Sequence, residues 1–97
     1  MTLDELISPI QGRLGVLERI GDQRVTITGL TDDSRKVEPG SIFVAVQGER
    51  ADGHEFLDRV VAAGAAAVVV ERHAAVGSTP SVRVQDSRAA LGILGSR

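Results

Sequence analysis

Two short apolar runs constrain this chain more than anything else in it: Ile42-Phe43-Val44-Ala45-Val46 and Ala65-Ala66-Ala67-Val68-Val69-Val70. Neither alternates with polar residues, so each has to be buried on both faces, a condition met by strands of a parallel sheet with helices on either side. The segment between them supplies one such helix. Phe56, Leu57, Val60 and Val61 recur as a single apolar stripe, Asp52 or Gly53 can cap its start, and Gly64 is placed to end it as a left-handed C-terminal residue. Strand, helix and strand make a βαβ unit.

The rest of the chain extends this unit. Thr2 followed by Glu5 fits a capping box, and Leu3, Leu6 and Ile7 give one or two helical turns before Pro9. Residues 11–23 read two ways: Leu14, Val16 and Leu17 fit an edge strand, whereas Gly12, Gly15 and Gly21 punctuate loop. Val25-Thr26-Ile27-Thr28 alternates apolar and polar and predicts a strand carrying on towards Leu30 and Thr31. Glu38-Pro39-Gly40 has the chemistry of a tight turn leading into the first apolar run. Residues 72–80 read as loop. Val82 and Val84 mark a further strand, and Asp86 or Ser87 caps a last helix through Ala89, Ala90, Leu91 and Leu94. The expected fold is α/β: a small mixed sheet of about four or five strands with a βαβ unit and two or three helices.

Size and composition narrow the function. Ninety-seven residues make one domain, long enough to bury a core without staples. There is no cysteine, which removes disulfides, thiolate metal sites and a cysteine nucleophile. No apolar run approaches the ~20 residues needed to span a bilayer, and Asp4 and Glu5 stand where a secretory signal carries positive charge. The expected location is the cytoplasm, with no membrane partner. A net charge of −2 and only two aromatic residues, Phe43 and Phe56, make a poor nucleic-acid surface.

Several chemistries are missing from the motifs. The sequence has neither a Gly-x-x-x-x-Gly-Lys-Ser/Thr phosphate loop nor a Gly-x-Gly-x-x-Gly fingerprint. His54 and His73 lie far apart, without zinc-ligand spacing. No nucleophile elbow surrounds Ser34. What remains is a pair of polar, turn-rich clusters, residues 31–40 and 47–54, one at each end of the first apolar run. Loops held on a rigid strand are where binding residues commonly sit. By its residues alone the chain is a small-molecule binding domain without catalytic apparatus.

Those clusters carry a resemblance. Asp33-Ser34-Arg35-Lys36-Val37-Glu38-Pro39-Gly40-Ser41-Ile42-Phe43-Val44-Ala45, then Gly48, then Asp52-Gly53-His54-Glu55-Phe56, is similar to the N-terminal domain of the Mur ligases. Gly64-Ala65 and Val84-x-Asp86-x-Arg88-x-Ala90-Leu91 extend the match over about residues 25 to 95. Within the family it most resembles the type that adds the third residue of the peptidoglycan stem to UDP-N-acetylmuramoyl-L-alanyl-D-glutamate (the MurE type). The ligase adding D-Ala-D-Ala carries a similar first domain.

The resemblance implies a three-domain cytoplasmic enzyme. The first domain anchors the UDP end of the muramoyl dipeptide, the central one binds ATP and Mg²⁺, and the last carries the incoming amino acid. This chain matches the first domain, stops before the central phosphate loop, and is expected to hold no cofactor, to need the remaining ligase domains in cis and to be inactive alone. The positions matching the family's UDP contacts are Asp32, Ser34, Glu49, Arg50 and Ala51. Serine hydroxyls and loop N–H groups can donate to phosphate or uracil oxygens, and arginine can pair with a diphosphate. Glu49 departs from this chemistry, because a carboxylate repels phosphate; it faces ribose hydroxyls or solvent, contributing only backbone.

The residues also admit plainer roles. Asp33 reads as a turn former, Arg35 equally as an ion pair or a ligand contact, and Asp52 as a helix cap. His54 reads as a packed surface histidine, Lys36 and Glu38 as solvated charges, Phe43 and Phe56 as core. A stand-alone UDP-sugar binding module and a structural domain without ligand are the alternatives to the ligase reading.

Overall fold

The computed structural model describes residues 1–48 and 51–95. Five strands form one sheet: β1 (Val16–Ile20), β2 (Gly29–Thr31), β3 (Ser41–Val44), β4 (Ala67–Val70) and β5 (Ser81–Val84), in the order β1-β5-β4-β3-β2. Strands β2 to β5 pair in parallel, and β1 closes one edge antiparallel to β5. The helical segments are α1 (Leu3–Ile7) and α2 (Gln11–Leu14), joined by a 3-10 turn, then α3 (Leu57–Ala62) and α4 (Ser87–Gly95). The mixed sheet and its β3–α3–β4 unit are those expected from the two apolar runs.

Both faces of the sheet are covered, which is why its central strands could be apolar throughout. Ile42 and Val44 of β3, Ala67 and Val69 of β4, and Val82 and Val84 of β5 pack with Leu3, Ile7, Leu14, Ala90 and Leu94 from α1, α2 and α4. Phe43, Val68 and Val70 face the other way, against Leu57 and Val60 of α3 and Val37. Successive strand residues point to opposite faces, and each face has its own helical layer.

The N-terminus begins with the expected capping box. The Thr2 hydroxyl accepts from the Glu5 N–H at 3.1 Å, and the Glu5 carboxylate accepts from the Thr2 N–H at 2.9 Å. Of the two readings for residues 11–23, both hold in part: a left-handed Gly15 ends α2, and Val16–Ile20 is the edge strand. A register shift between Val16 and Glu18 takes Leu17 out of the pairing with β5.

The strand expected over residues 25–28 is not in the ladder. Val25 and Ile27 are half-buried in alternation, but their hydrogen bonds go to the first residues of the chain. Leu3 N–H donates to Val25 O, Ile27 N–H donates to Met1 O, and Thr26 forms one isolated bridge with Thr2. The partner turns into α1 after two residues, so no ladder can propagate, and the sheet strand starts only at Gly29. The first apolar run is strand only as far as Val44; Ala45 N–H still donates to Val69 O at 2.9 Å, and the next loop follows.

The 38–40 turn adopts φ +95° at Gly40, where a Cβ would lie against the Thr28 hydroxyl. That turn also holds Thr28, whose N–H donates to Gly40 O at 2.9 Å. Gly40→Ala is therefore expected to destabilise the fold by about 1–3 kcal/mol. For a domain of this size that lowers the melting temperature by roughly 4–8 °C per kcal/mol; a thermal denaturation curve matching the parent would show that the turn can rearrange.

A cleft at the C-terminal edge of the sheet

Because β2, β3, β4 and β5 are parallel, the loops following them emerge along one edge of the sheet. The chain after β2 carries Asp32 to Arg35, and the chain after β3 carries Val46 to Asp52. They were far apart along the sequence, one before the apolar run and one after it. In the structure they border a single open cleft of about 530 Å³, lined by Asp32, Ser34, Gly48, Ala51, Phe56 and Arg88 among others. Three of the residues expected to contact UDP, Asp32, Ser34 and Ala51, are thus brought together. The other two, Glu49 and Arg50, lie outside the described residues.

The first loop is held by its own side chains. Asp33 N–H donates to the Thr31 hydroxyl at 3.0 Å. The Asp33 carboxylate caps a 3-10 turn over Ser34–Lys36 by accepting from the Arg35 N–H at 2.9 Å, and it also accepts from the Arg35 guanidinium at 3.1 and 3.0 Å. The turn-forming role expected of Asp33 is therefore its role, and Arg35 is an exposed ion-pair partner on the cleft wall. Ser34 is half-buried on the cleft, and no described residue hydrogen-bonds its hydroxyl.

The second loop is a tight reversal. Gly48 N–H donates to Ala51 O at 2.8 Å, Gln47 bridges Asp52, and Gly53 N–H donates to Val46 O at 2.9 Å. Gly53 lies so close to the strand end that a Cβ would sit 2.8 Å from Val46 N and 2.9 Å from Ala45 Cα. Backbone cannot yield as a flexible side chain can, so this position needs glycine for approach rather than for its dihedral angles. Asp52 then caps the next helical turn, with Oδ1 accepting from the His54 N–H at 3.0 Å. That turn is 3-10 over Gly53–Phe56 before α3 begins at Leu57.

Three cleft residues were not assigned to it by the motifs. Arg88, in the first turn of α4, donates from Nη2 to Gln47 O at 3.0 Å and ties that helix to the second loop. Arg59 on α3 places its guanidinium carbon 5.7 Å from the centroid of the Phe56 ring, within cation–π range. Phe56 itself, expected in the core, is half-buried on the cleft wall, whereas Phe43 is fully buried. Arg88 lay within the matching motif, but its place at the cleft follows from the parallel sheet, which puts the start of α4 on the same edge.

His54 corrects another expectation. Its side chain is 4% exposed and hydrogen-bonded at both nitrogens, to Asp52 through Nδ1 at 2.7 Å and to the Glu71 N–H through Nε2 at 3.0 Å. The His54 N–H bond, the Arg72 guanidinium 2.7 Å away and the His54 ring hold the Asp52 carboxyl far below the usual carboxylate range.

Among the described residues no group of three or more His, Cys, Asp or Glu side chains could hold a metal ion. No described helix is long and apolar enough to cross a membrane.

The Asp33–Arg35 pair has a consequence for acid stability. The guanidinium and N–H of Arg35 hold the Asp33 carboxyl down to about 2 from an ordinary 3.8. A lowered native value stabilises the fold above the unfolded value and ceases to do so as pH falls through the native one. Asp33→Asn is expected to flatten the acid limb of stability between about pH 4 and pH 2, as read by urea unfolding at stepped pH. An unchanged limb would mean that Arg35 is fully solvated.

Comparison with known proteins agrees with the fold. Residues 26–97 match the family described as "Mur ligase family, catalytic domain". The UDP-N-acetylmuramoyl-L-alanyl-D-glutamate–2,6-diaminopimelate ligase of Listeria monocytogenes serotype 4b is 37% identical over 94 residues, 97% of this chain and 18% of that protein. The UDP-N-acetylmuramoyl-tripeptide–D-alanyl-D-alanine ligase of Escherichia coli K12 is 37% identical over 94 residues, 97% of this chain and 19% of that protein. A crystal structure of MurF from Acinetobacter baumannii superposes with a TM-score of 0.78 at 36% identity, covering 98% of this chain and 20% of that one. The chain thus spans about a fifth of the length of the relatives it matches. With the parallel sheet, the loop motifs along its edge and these matches in agreement, the chain belongs to the Mur ligase family.

Proposed function

We propose that this chain is the first domain of a three-domain, cytoplasmic, ATP-dependent peptidoglycan precursor ligase, and that its cleft anchors the UDP end of a UDP-N-acetylmuramoyl peptide. The observation that carries this reading is the convergence of the 32–35 and 46–52 loops on one cleft of about 530 Å³. That volume is in the range of small-ligand sites.

The lining suits a nucleoside diphosphate. The Ser34 hydroxyl and the N–H groups of both loops can donate to phosphate or uracil oxygens, and Arg59 and Arg88 bring positive charge to the same cleft. Phe56 and Leu91 add an apolar wall for the base or sugar. Asp32 and Ala51 border the same space, and Arg50 and Glu49 fall between Gly48 and Ala51, with Arg50 the residue suited to a phosphate. In the whole ligase, ATP and Mg²⁺ held by the other domains would supply the driving force for amide formation. The residues of this chain contribute binding and orientation to that reaction.

We assign the whole ligase to addition of the third stem residue onto UDP-N-acetylmuramoyl-L-alanyl-D-glutamate, supported by the Listeria relative's name. The reading with D-Ala-D-Ala as the added group is favoured by the Escherichia coli relative's name and by the superposition on MurF. Assaying the whole ligase with UDP-muramoyl dipeptide against UDP-muramoyl tripeptide separates the two.

Titrating the chain with UDP while recording backbone amide shifts tests the cleft. Movement is expected at Asp32 to Arg35, Gly48 and Ala51, with a dissociation constant on the order of 0.1–10 mM, roughly 3–5.5 kcal/mol, because an open cleft leaves much of the ligand in water. Arg88→Ala should weaken binding more than Ser34→Ala, since a hydrogen bond to a charged group contributes about 1.5–3 kcal/mol against about 1 for a neutral one. The arginine effect should shrink as salt rises, and Lys36→Ala should change little. Shifts confined to residues 72–80 or to α1 would move the site elsewhere. The purified chain alone is expected to turn over neither ATP nor the muramoyl substrate, and turnover would overturn the domain assignment.

A further inference from the structure

Beside the cleft runs a chain of hydrogen bonds that none of the proposed UDP contacts requires. The exposed Arg72 guanidinium donates to Asp52 Oδ2 at 2.7 Å. Asp52 Oδ1 meets the His54 ring at Nδ1, 2.7 Å away, and His54 Nε2 accepts from the Glu71 N–H at 3.0 Å. The Glu71 carboxylate in turn accepts from the N–H and the hydroxyl of Ser87 at 2.7 and 2.9 Å, and Ser87 is fully buried. One relay therefore joins the second cleft loop, the end of β4 and the start of α4.

The ring at its centre has a determined proton. Nε2 faces a backbone N–H and has to be the acceptor, so a neutral imidazole carries its hydrogen on Nδ1, where Asp52 receives it. Only histidine among the common side chains offers a donor and an acceptor at this separation on one rigid ring. The side chain is 4% exposed, so loss of either bond leaves a buried polar group without a partner.

We infer that His54 is a positioning residue of the cleft: through its Nδ1–H tautomer it locks Asp52, and with it the reversal at Gly48 and Ala51, to the ends of β4 and α4. This rests on the UDP reading above for its ligand, but the lock itself exists in the unliganded chain. Arg88 braces the same reversal from outside by its bond to Gln47 O. The histidine holds the loop at Asp52 and the arginine holds it at Gln47.

The test uses the 97-residue chain with His54→Asn, which can keep the donor to Asp52, and His54→Gln, which can keep the acceptor for Glu71. Each half-variant breaks the tie once. Both are expected to bind UDP about tenfold more weakly, equivalent to about 1.4 kcal/mol, and to shift the Gly48 and Ala51 amides before any ligand is added. Long-range ¹H–¹⁵N spectra of the parent should show His54 protonated at Nδ1 only. Val82→Ala, a core change remote from the relay, controls for stability: it should melt lower and yet bind UDP within about twofold of the parent.

Folded His54 variants with parental UDP affinity and unmoved amides, or a ring protonated at Nε2, would overturn the inference. If the parent itself fails to bind UDP, the cleft assignment falls, while the lock is still judged by the tautomer and the unliganded amides. Should both His54 variants fail to fold, Arg72→Ala strips only the exposed end of the relay. It should move the Gly48 and Ala51 amides, and their immobility would sink the proposal.

Discussion

Parallel pairing of β3 with β2 on one side and β4 on the other is the constraint on which the rest of the structure depends. It demands that β3 be covered on both faces, which α1, α2 and α4 do on one side and α3 with Val37 on the other. It also sends the segments after β2, β3, β4 and β5 to a common edge. An antiparallel β2 would have put Ser34 at the opposite end of β3 from Gly48. The cleft exists because the strand directions agree.

Four acids at this edge are committed to structural work, while Asp32 borders the cleft. Asp33 is occupied by Arg35, Asp52 by His54 and Arg72, Glu71 by Ser87, and Asp86 caps α4 by accepting from the Ala89 N–H at 3.1 Å. Such bonds to ionised carboxylates are stronger than neutral ones, which suits loops that have few apolar contacts of their own. Arg59 and Arg88 meanwhile reach the cleft, one against a ring face and the other on a carbonyl among the described residues. The cleft lining thus holds Arg59 and Arg88 together with Asp32 and the paired Asp33 and Arg35.

Backbone proximity accounts for the shape of the second loop as much as side chains do. Gly53 packs on the backbone of Ala45 and Val46, so the chain leaving β3 reverses within a few residues and returns beside itself. A helix begins immediately afterwards, capped by the same Asp52 that the relay holds. Loop, cap and relay are joined by continuous hydrogen bonds.

The sequence by itself determined the layers and the direction of the argument towards binding. Unbroken apolar runs at residues 42–46 and 65–70, short and rich in β-branched residues, point to strands covered on both faces, and the Thr2–Glu5 box and the Asp52 cap are local chemistry that needs no partner from afar. Residues 25–28 show where that legibility ends: the alternation reported the half-burial of Val25 and Ile27, but the strand expected from it did not form, because the N-terminal partner turns into a helix after two residues. Phe56 and His54 show it again. An aromatic on an apolar stripe and a histidine in a first helical turn look alike whether they face core, cleft or solvent, because periodicity reports a face and not what lies against it. Only the tertiary structure decided that Ser34, Ala51 and Arg88 share one cleft, since strand order and direction arise from contacts between residues tens of positions apart.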